Sequence, residues 1–238
     1  MSSHHTVIVG GSSGIGLATA QRLLAAGAKV TIAARDPARL HAAAEILPSP
    51  ARVIPMDATD TASLPQVFDA IGAFDHLVLA LGSRKGLGPF ASLDVLEVMQ
   101  GFHEKFQSQF AAAQAALPHL NPRGSITFVA AVSAHSAAPG TSGIGAQNAA
   151  VAALVPILAN ELQPLRVNGV SPGLIDTPWW DFLPPEQRRA VFTDYARKTP
   201  AGRVGRADDV AQAIQLLIEN DFMTGHVLLC DGGLRWAA

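Results

Sequence analysis

A short apolar strand, Thr6-Val7-Ile8-Val9, runs straight into Gly10-Gly11-Ser12-Ser13-Gly14-Ile15-Gly16 and then into a helical stretch from Leu17 to Leu24. A strand, a glycine turn and a helix in immediate succession leave few folds open. Gly10 permits a tight turn, and the missing Cβ atoms of Gly14 and Gly16 let backbone, helix and a ligand approach closely. The free N–H groups of the turn, Ser12 and Ser13 included, and the positive end of the helix then face an anion. The unit is built to hold the pyrophosphate of a dinucleotide. A plain Gly/Ser loop at a strand end is the alternative, and it leaves the flanking strand and amphipathic helix unexplained.

The rest of the chain repeats the pattern. Apolar runs at Val30–Ala33, Val53–Met56, Leu77–Leu81, Ile126–Ala131, Val167–Val170 and Val227–Cys230 read as buried parallel strands. Helical patterns lie between them, near 17–26, 37–47, 61–71, 93–119, 146–162 and 207–219. Gly27 closes the first helix, and Asp36-Pro37 reads as an N-cap followed by proline at the first helical position. Repeated βα units predict an α/β fold, a Rossmann-type doubly wound parallel sheet of about seven strands with helices on both faces. One domain, 1–238, is expected, with an irregular lid at about 174–206. Pro156 inside the 146–162 helix predicts a kink or a position where a freed carbonyl is tolerated.

Composition narrows the function. The chain has 238 residues, 49% hydrophobic and 15% charged, with a formal net charge of −2. A large core is available, low charge suggests a surface covered by like subunits, and no nucleic-acid or anionic-membrane partner is expected. A single cysteine, Cys230, excludes a disulfide framework and a cysteine-based zinc site, and fits a reducing, cytoplasmic setting. No metal site is expected. Met1-Ser2-Ser3-His4-His5 carries no basic segment ahead of a long apolar run, so no signal peptide is expected. From Gly124 to Asn160 there is no Asp, Glu, Lys or Arg, but Pro139, Gly140, Gly143, Gly145, Gln147 and Asn148 argue against a membrane span. That stretch reads as a strand, a loop and a helix buried on most sides.

The second strand ends Ala34-Arg35-Asp36. A neutral Ala34 followed by Arg35 favours a 2′-phosphate over a free ribose hydroxyl, because a guanidinium forks onto phosphate. NADP(H) is therefore expected, with Asp36 serving as the helix cap. Asp57 either accepts from the adenine amino group or caps a turn.

With these residues in view the chain resembles the short-chain dehydrogenase/reductase family over nearly its whole length. Gly10, Gly14, Ile15 and Gly16 are similar to its glycine motif, and Met56-Asp57-Ala58-Thr59-Asp60 to its adenine-ring segment. Arg166 to Pro178 looks like its sixth strand and the loop under the nicotinamide, so the resemblance implies that Pro172, Gly173, Ile175 and Thr177 line that ring. Thr224 to Gly233 is similar to its last strand. The family's Asn-Asn-Ala-Gly falls on Leu79-Ala80-Leu81-Gly82, placing Ala80 and Gly82 beside the cofactor. Its catalytic serine falls on Ala131, its tyrosine and lysine on Ile144 and Asn148, and its asparagine on Lys105. The usual tyrosine–lysine mechanism does not carry over.

The resemblance implies an NADP(H)-dependent oxidoreductase, a homotetramer or homodimer, acting on a small carbonyl, conjugated or quinone-like substrate with a non-standard proton donor. A non-catalytic NADP(H)-binding regulator or partner subunit is the alternative. Asn148 has the donors and acceptor to bond ribose hydroxyls. Lys105 either returns a cation to the site or is a solvated lysine facing Glu104 or Glu97. Ser133 and His135, after the fifth strand, either donate to a substrate oxygen or are loop residues. Arg84-Lys85 takes an acidic substrate group or forms a wet loop. Trp179, Trp180 and the sole tyrosine, Tyr195, stand in the lid, where the tryptophans cover an apolar or aromatic substrate or form a subunit contact.

Overall fold

Along β1 (His5–Val9), Val7 and Val9 join one core cluster and Ile8 the other, the two-residue alternation of a strand buried on both faces. The same alternation separates Leu77 and Leu79 from Val78 in β4 (Phe74–Leu79), and Ile126 and Phe128 from Val129 in β5 (Leu120–Val129). With β2 (Lys29–Ala34), β3 (Arg52–Pro55), β6 (Arg166–Pro172) and β9 (Val227–Cys230) these strands form one seven-stranded sheet, order β3-β2-β1-β4-β5-β6-β9, parallel throughout. A two-stranded pair, β7 (Ile175–Asp176) with β8 (Gly205–Arg206), stands apart from it. The structure is a computed structural model and describes residues 4–236; Met1, Ser2 and Ser3, part of the expectation of no signal peptide, lie outside them.

Two helical layers cover the sheet. The helices α1 (Gly14–Ala25), α2 (Pro37–Glu45) and α8 (Ala207–Glu219) bury Leu23, Leu40 and Ile214 on one face. On the other, α3 (Leu64–Ile71), α5 (Ser108–Ala116) and α6 (Ser142–Glu161) bury Phe68, Ala112 and Val155. Strand order reverses between β1 and β4, and in open sheets ligands bind in the crevice beyond the strand ends at such a point.

Three helical expectations change. The predicted 93–119 helix is α4 (Val95–Phe102), a π-helical turn His103–Gln107, α5, and a short 3-10 turn Leu117–His119. The irregular lid contains a helix, α7 (Pro185–Lys198), and β7 and β8 tie its two ends together. The 146–162 helix starts earlier, at Ser142, and is not buried on most sides: Val151, Val155 and Ala159 face inward, while Ala146, Ala149, Ala153 and Ile157 are exposed. By length and composition alone it could cross a bilayer, with a mean hydropathy of 1.4. Pro156 lies within it on the exposed side, where water can take the carbonyl that proline leaves free.

Candidate active site

The glycine turn sits at the reversal point. Gly10 has φ +86°, and a Cβ there would lie 2.5 Å from the Ala80 carbonyl oxygen at the tip of β4. A Cβ on Gly16 would overlap the Gly10 carbonyl. Backbone therefore packs directly on backbone, and the first turn of α1 closes under the loop. Ser13 is the N-cap residue of α1 but makes no side-chain cap bond, so the leading N–H groups remain available. The base of the lid reaches this turn, since a Cβ on Gly14 would lie 3.3 Å from Thr177 Cβ.

At the adenine end, Asp36 is committed. Its Oδ1 accepts from Ala38 N at 2.9 Å and Arg39 N at 3.2 Å, the cap expected from the sequence. Arg35 is exposed beside it. Asp57 makes the turn: one oxygen accepts from Thr59 N (3.0 Å) and Thr59 Oγ1 (2.7 Å). Burial alone would raise its carboxyl, but these bonds, with the positive charge of Arg35, hold it below the usual carboxylate value. Ala58 is buried behind it.

At the far end of the cleft, the π turn and α6 face each other across the tip of β5. Lys105 is only 5% exposed, which removes the solvated-lysine alternative, and the glutamates lie elsewhere: Glu104 accepts from Ser83 Oγ (2.7 Å) and Glu97 pairs with Lys85 (2.9 Å). The Lys105 ammonium donates to Ala130 O at 3.2 Å, one residue before Ala131. Burial, with no compensating charge, pulls its pKa down to about 7. The π turn is what presents it, because an inserted residue shifts the register of all that follows.

On α6, Asn148 donates through Nδ2 to Ile144 O (2.8 Å) and Ser133 Oγ (3.1 Å), and its Oδ1 is buried without a partner among the described residues. Ser133 and His135 lie in or beside the 3-10 turn Val132–Ala134; His135 Nε2 is 3.0 Å from Ser171 Oγ. Asn148 and Ser133 thus meet directly, and Lys105 reaches Ala130 O, just before the 3-10 turn that carries Ser133. Sequence reasoning missed Gln109, whose Nε2 donates to Leu81 O and Val129 O, both at 3.2 Å, tying α5 to the tips of β4 and β5. Its only signal was a polar residue amid the alanines of a buried helix.

The lid brings Trp179 over Gly82, whose missing Cβ would be 3.9 Å from the indole. Trp179 and Trp180 meet edge to face at 4.7 Å and join Phe182 and Phe192 in one cluster; Trp180 Nε1 donates to Ile175 O at 3.0 Å. Tyr195 is further along α7, under Lys198 at 5.7 Å, outside this cluster. Pro172 ends β6, and Gly173 just past it packs on Asp231. Ile175 is buried in the core cluster of the α1–α8 face, so its backbone and not its side chain is what it offers the cleft. A separate cavity of about 460 Å³ lies behind the lid between Leu174, Thr199, Asp209 and Asp231, and contains none of Lys105, Ser133 or Asn148.

A doubly wound sheet with a glycine turn and free helix N–H groups at its reversal point is the frame of the dinucleotide-binding class of proteins. The chain belongs to the short-chain dehydrogenase/reductase family: residues 9–235 match the family described as enoyl-(acyl carrier protein) reductase. It is 33% identical over 95% of its length to the granaticin polyketide synthase putative ketoacyl reductase 2 of Streptomyces violaceoruber, covering 94% of that protein. It is 31% identical to the 3-oxoacyl-[acyl-carrier-protein] reductase of Bos taurus, with 96% of each chain covered. Among solved structures, a small-chain dehydrogenase in complex with NADPH superposes with a TM-score of 0.88 at 32% identity, covering 98% of this chain and 99% of that one.

Proposed function

We propose that the protein is an NADPH-dependent reductase of small ketones in which Lys105 takes the place of the family's tyrosine as proton donor. The observation that carries this reading is a buried Lys105, with no carboxylate to neutralise it, ending on the Ala130 carbonyl just past β5, three residues before the Ser133 that Asn148 holds. The cofactor fits the residues present. The cradle of Gly10 and Gly16 has no room for a Cβ, Asp36 is spent as a cap, and Arg35 stands exposed for a 2′-phosphate. Asn148 Oδ1, buried and unpartnered, is an acceptor for a ribose hydroxyl. Ser12, Ser13 and Gly14 hold the pyrophosphate; Asp57 and Ala58 hold the adenine; Ala80, Gly82, Pro172, Gly173, Ile175 and Thr177 surround the nicotinamide end. The relatives named as ketoacyl reductases favour a carbonyl over a quinone-like or conjugated acceptor.

NADPH, when bound, supplies a hydride to the carbonyl carbon. The chain's own residues handle the oxygen. Asn148 donates to Ser133 Oγ, which leaves the Ser133 hydroxyl proton free to hydrogen-bond the substrate oxygen. The Lys105 ammonium delivers the proton that turns that oxygen into an alcohol and is recharged from water. An acid with a pKa near the working pH is suited to this, and such a group contributes about 10²–10⁴-fold. By this reading Lys105, Ala131, Ile144 and Asn148 stand where the family has asparagine, serine, tyrosine and lysine, the lysine and asparagine exchanged across the pocket. His135 and the lid tryptophans Trp179 and Trp180 border the substrate, with Tyr195 at the edge of the lid. A cytoplasmic location accompanies the half-buried free thiol of Cys230.

Ketones, conjugated enones and quinones offered to the purified protein with NADPH or NADH test the reading. Ketone-dependent consumption of NADPH, and weaker consumption of NADH, are expected. Protein that binds NADPH and reduces no member of any class contradicts it and returns the regulator reading.

A further inference from the structure

We propose that Arg84 selects a substrate bearing a carboxylate on a flat, aromatic or conjugated ketone. The proposal rests on the reductase reading and adds the substrate class. Arg84 lies in the loop that leaves β4, just past Gly82. Ser83 fixes the loop, since its hydroxyl donates to Glu104 at 2.7 Å and accepts from Lys85 N at 3.0 Å. Of the two adjacent cations, Lys85 is neutralised by Glu97 at 2.9 Å. Arg84 points the other way, with its guanidinium carbon 5.3 Å above the Phe182 ring of the lid. It has no carboxylate partner among the described residues.

The acids that might have answered it are engaged. Asp181, next to Phe182, is held by Arg188 at 2.7 Å, and Asp176 by the same guanidinium at 2.6 Å. The loop from Ala131 to Gly140 that completes the cleft has no charged residue. One uncompensated guanidinium is therefore left at the mouth of a cleft walled by Trp179, Trp180 and Phe182. The contact with the Phe182 ring spends no N–H group of Arg84 on an acid, and leaves the guanidinium fork for a carboxylate. The aromatic wall fits a flat, unsaturated body attached to that carboxylate.

The test uses a matched pair, 4-acetylbenzoate and its methyl ester, which differ by the carboxylate charge and one methyl group. Two readouts are taken on the NADPH-loaded protein: kcat/KM for each ketone, and quenching of tryptophan fluorescence by each in titration. The wild-type protein is expected to favour the acid about ten- to a hundredfold in both, the range for a hydrogen-bonded charge pair. In Arg84→Gln the acid-to-ester ratio falls to near one, and in Arg84→Lys it is intermediate, because a point charge replaces the fork. Equal use of acid and ester by the wild type overturns the proposal, as does a preference that survives Arg84→Gln or a failure of both compounds to quench. Turnover of the ester without preference leaves the reductase reading standing. An absence of NADPH consumption with every ketone removes that reading instead.

Discussion

Lys105 carries a conflict between stability and function at the scale of one residue. Its ammonium is buried with a single carbonyl acceptor, and its pKa is about 7 when folded against about 10.4 for a free lysine. Between those values the unfolded chain binds the extra proton, so stability rises with pH across that window, and below pH 7 the penalty is present in full. Lys105→Met should therefore raise the thermal midpoint by several degrees near pH 6, at about 2–4 °C per kcal/mol for a chain of this size. The gain should shrink as pH approaches 10, which calorimetry across pH checks. The position of Lys105 was legible through resemblance. Its burial was not legible, because nothing in the sequence spacing announces the π turn His103–Gln107 that shifts the register around it. Asp36 was legible because an Asp-Pro pair states its own role; Asp57 was not, since the same carboxylate serves a turn or a ligand.

At the scale of the element, the lid shows what patterning reads well and what it misses. A long connection between strand and helix signals a binding element. Its helix α7 was hard to see because it fully buries no residue, its apolar stripe is short (Val191, Phe192 and Tyr195, all only partly covered), and Pro184-Pro185 reads as loop although proline is welcome at a first helical position. Ion pairs hold it together with the packing of Phe192 on Trp180: Arg188 reaches Asp176, Asp181 and the Thr177 carbonyl together. Half-exposed pairs of this kind contribute about 0.2–1 kcal/mol each. Arg188→Ala should accelerate limited proteolysis within 177–198 several-fold while moving the global unfolding midpoint by less than about 3 °C. Peptide mapping of the first cuts, beside a thermal melt, checks both halves.

For the whole molecule, the sheet was legible because strands buried on both faces write continuous apolar runs, and βα alternation points to a doubly wound parallel sheet, though not to its strand order. What covers the outside was not written as plainly. Val95, Leu96 and Met99 of α4 are 71%, 76% and 59% exposed, and Phe110 of α5 is 41% exposed. With Phe102 and Phe106 they make an apolar stripe beside the alanine-rich outer side of α6. Exposed apolar patches are candidate interaction surfaces. The expected homotetramer or homodimer would bury it. Met99→Glu combined with Phe110→Glu should lower the assembly mass measured by light scattering, with the fold retained by circular dichroism.

The pH dependence of ketone reduction by the intact protein and by Lys105→Met tests the central claim most directly. With the best ketone of the panel at saturating NADPH, the wild-type kcat should fall as pH rises through about 7, following loss of the Lys105 proton. Lys105→Met should be about 10²–10⁴-fold slower below pH 7 and flat above it, with NADPH affinity little changed. A Lys105→Met protein that keeps the wild-type rate and the wild-type pH profile would contradict the assignment of Lys105 as the acid.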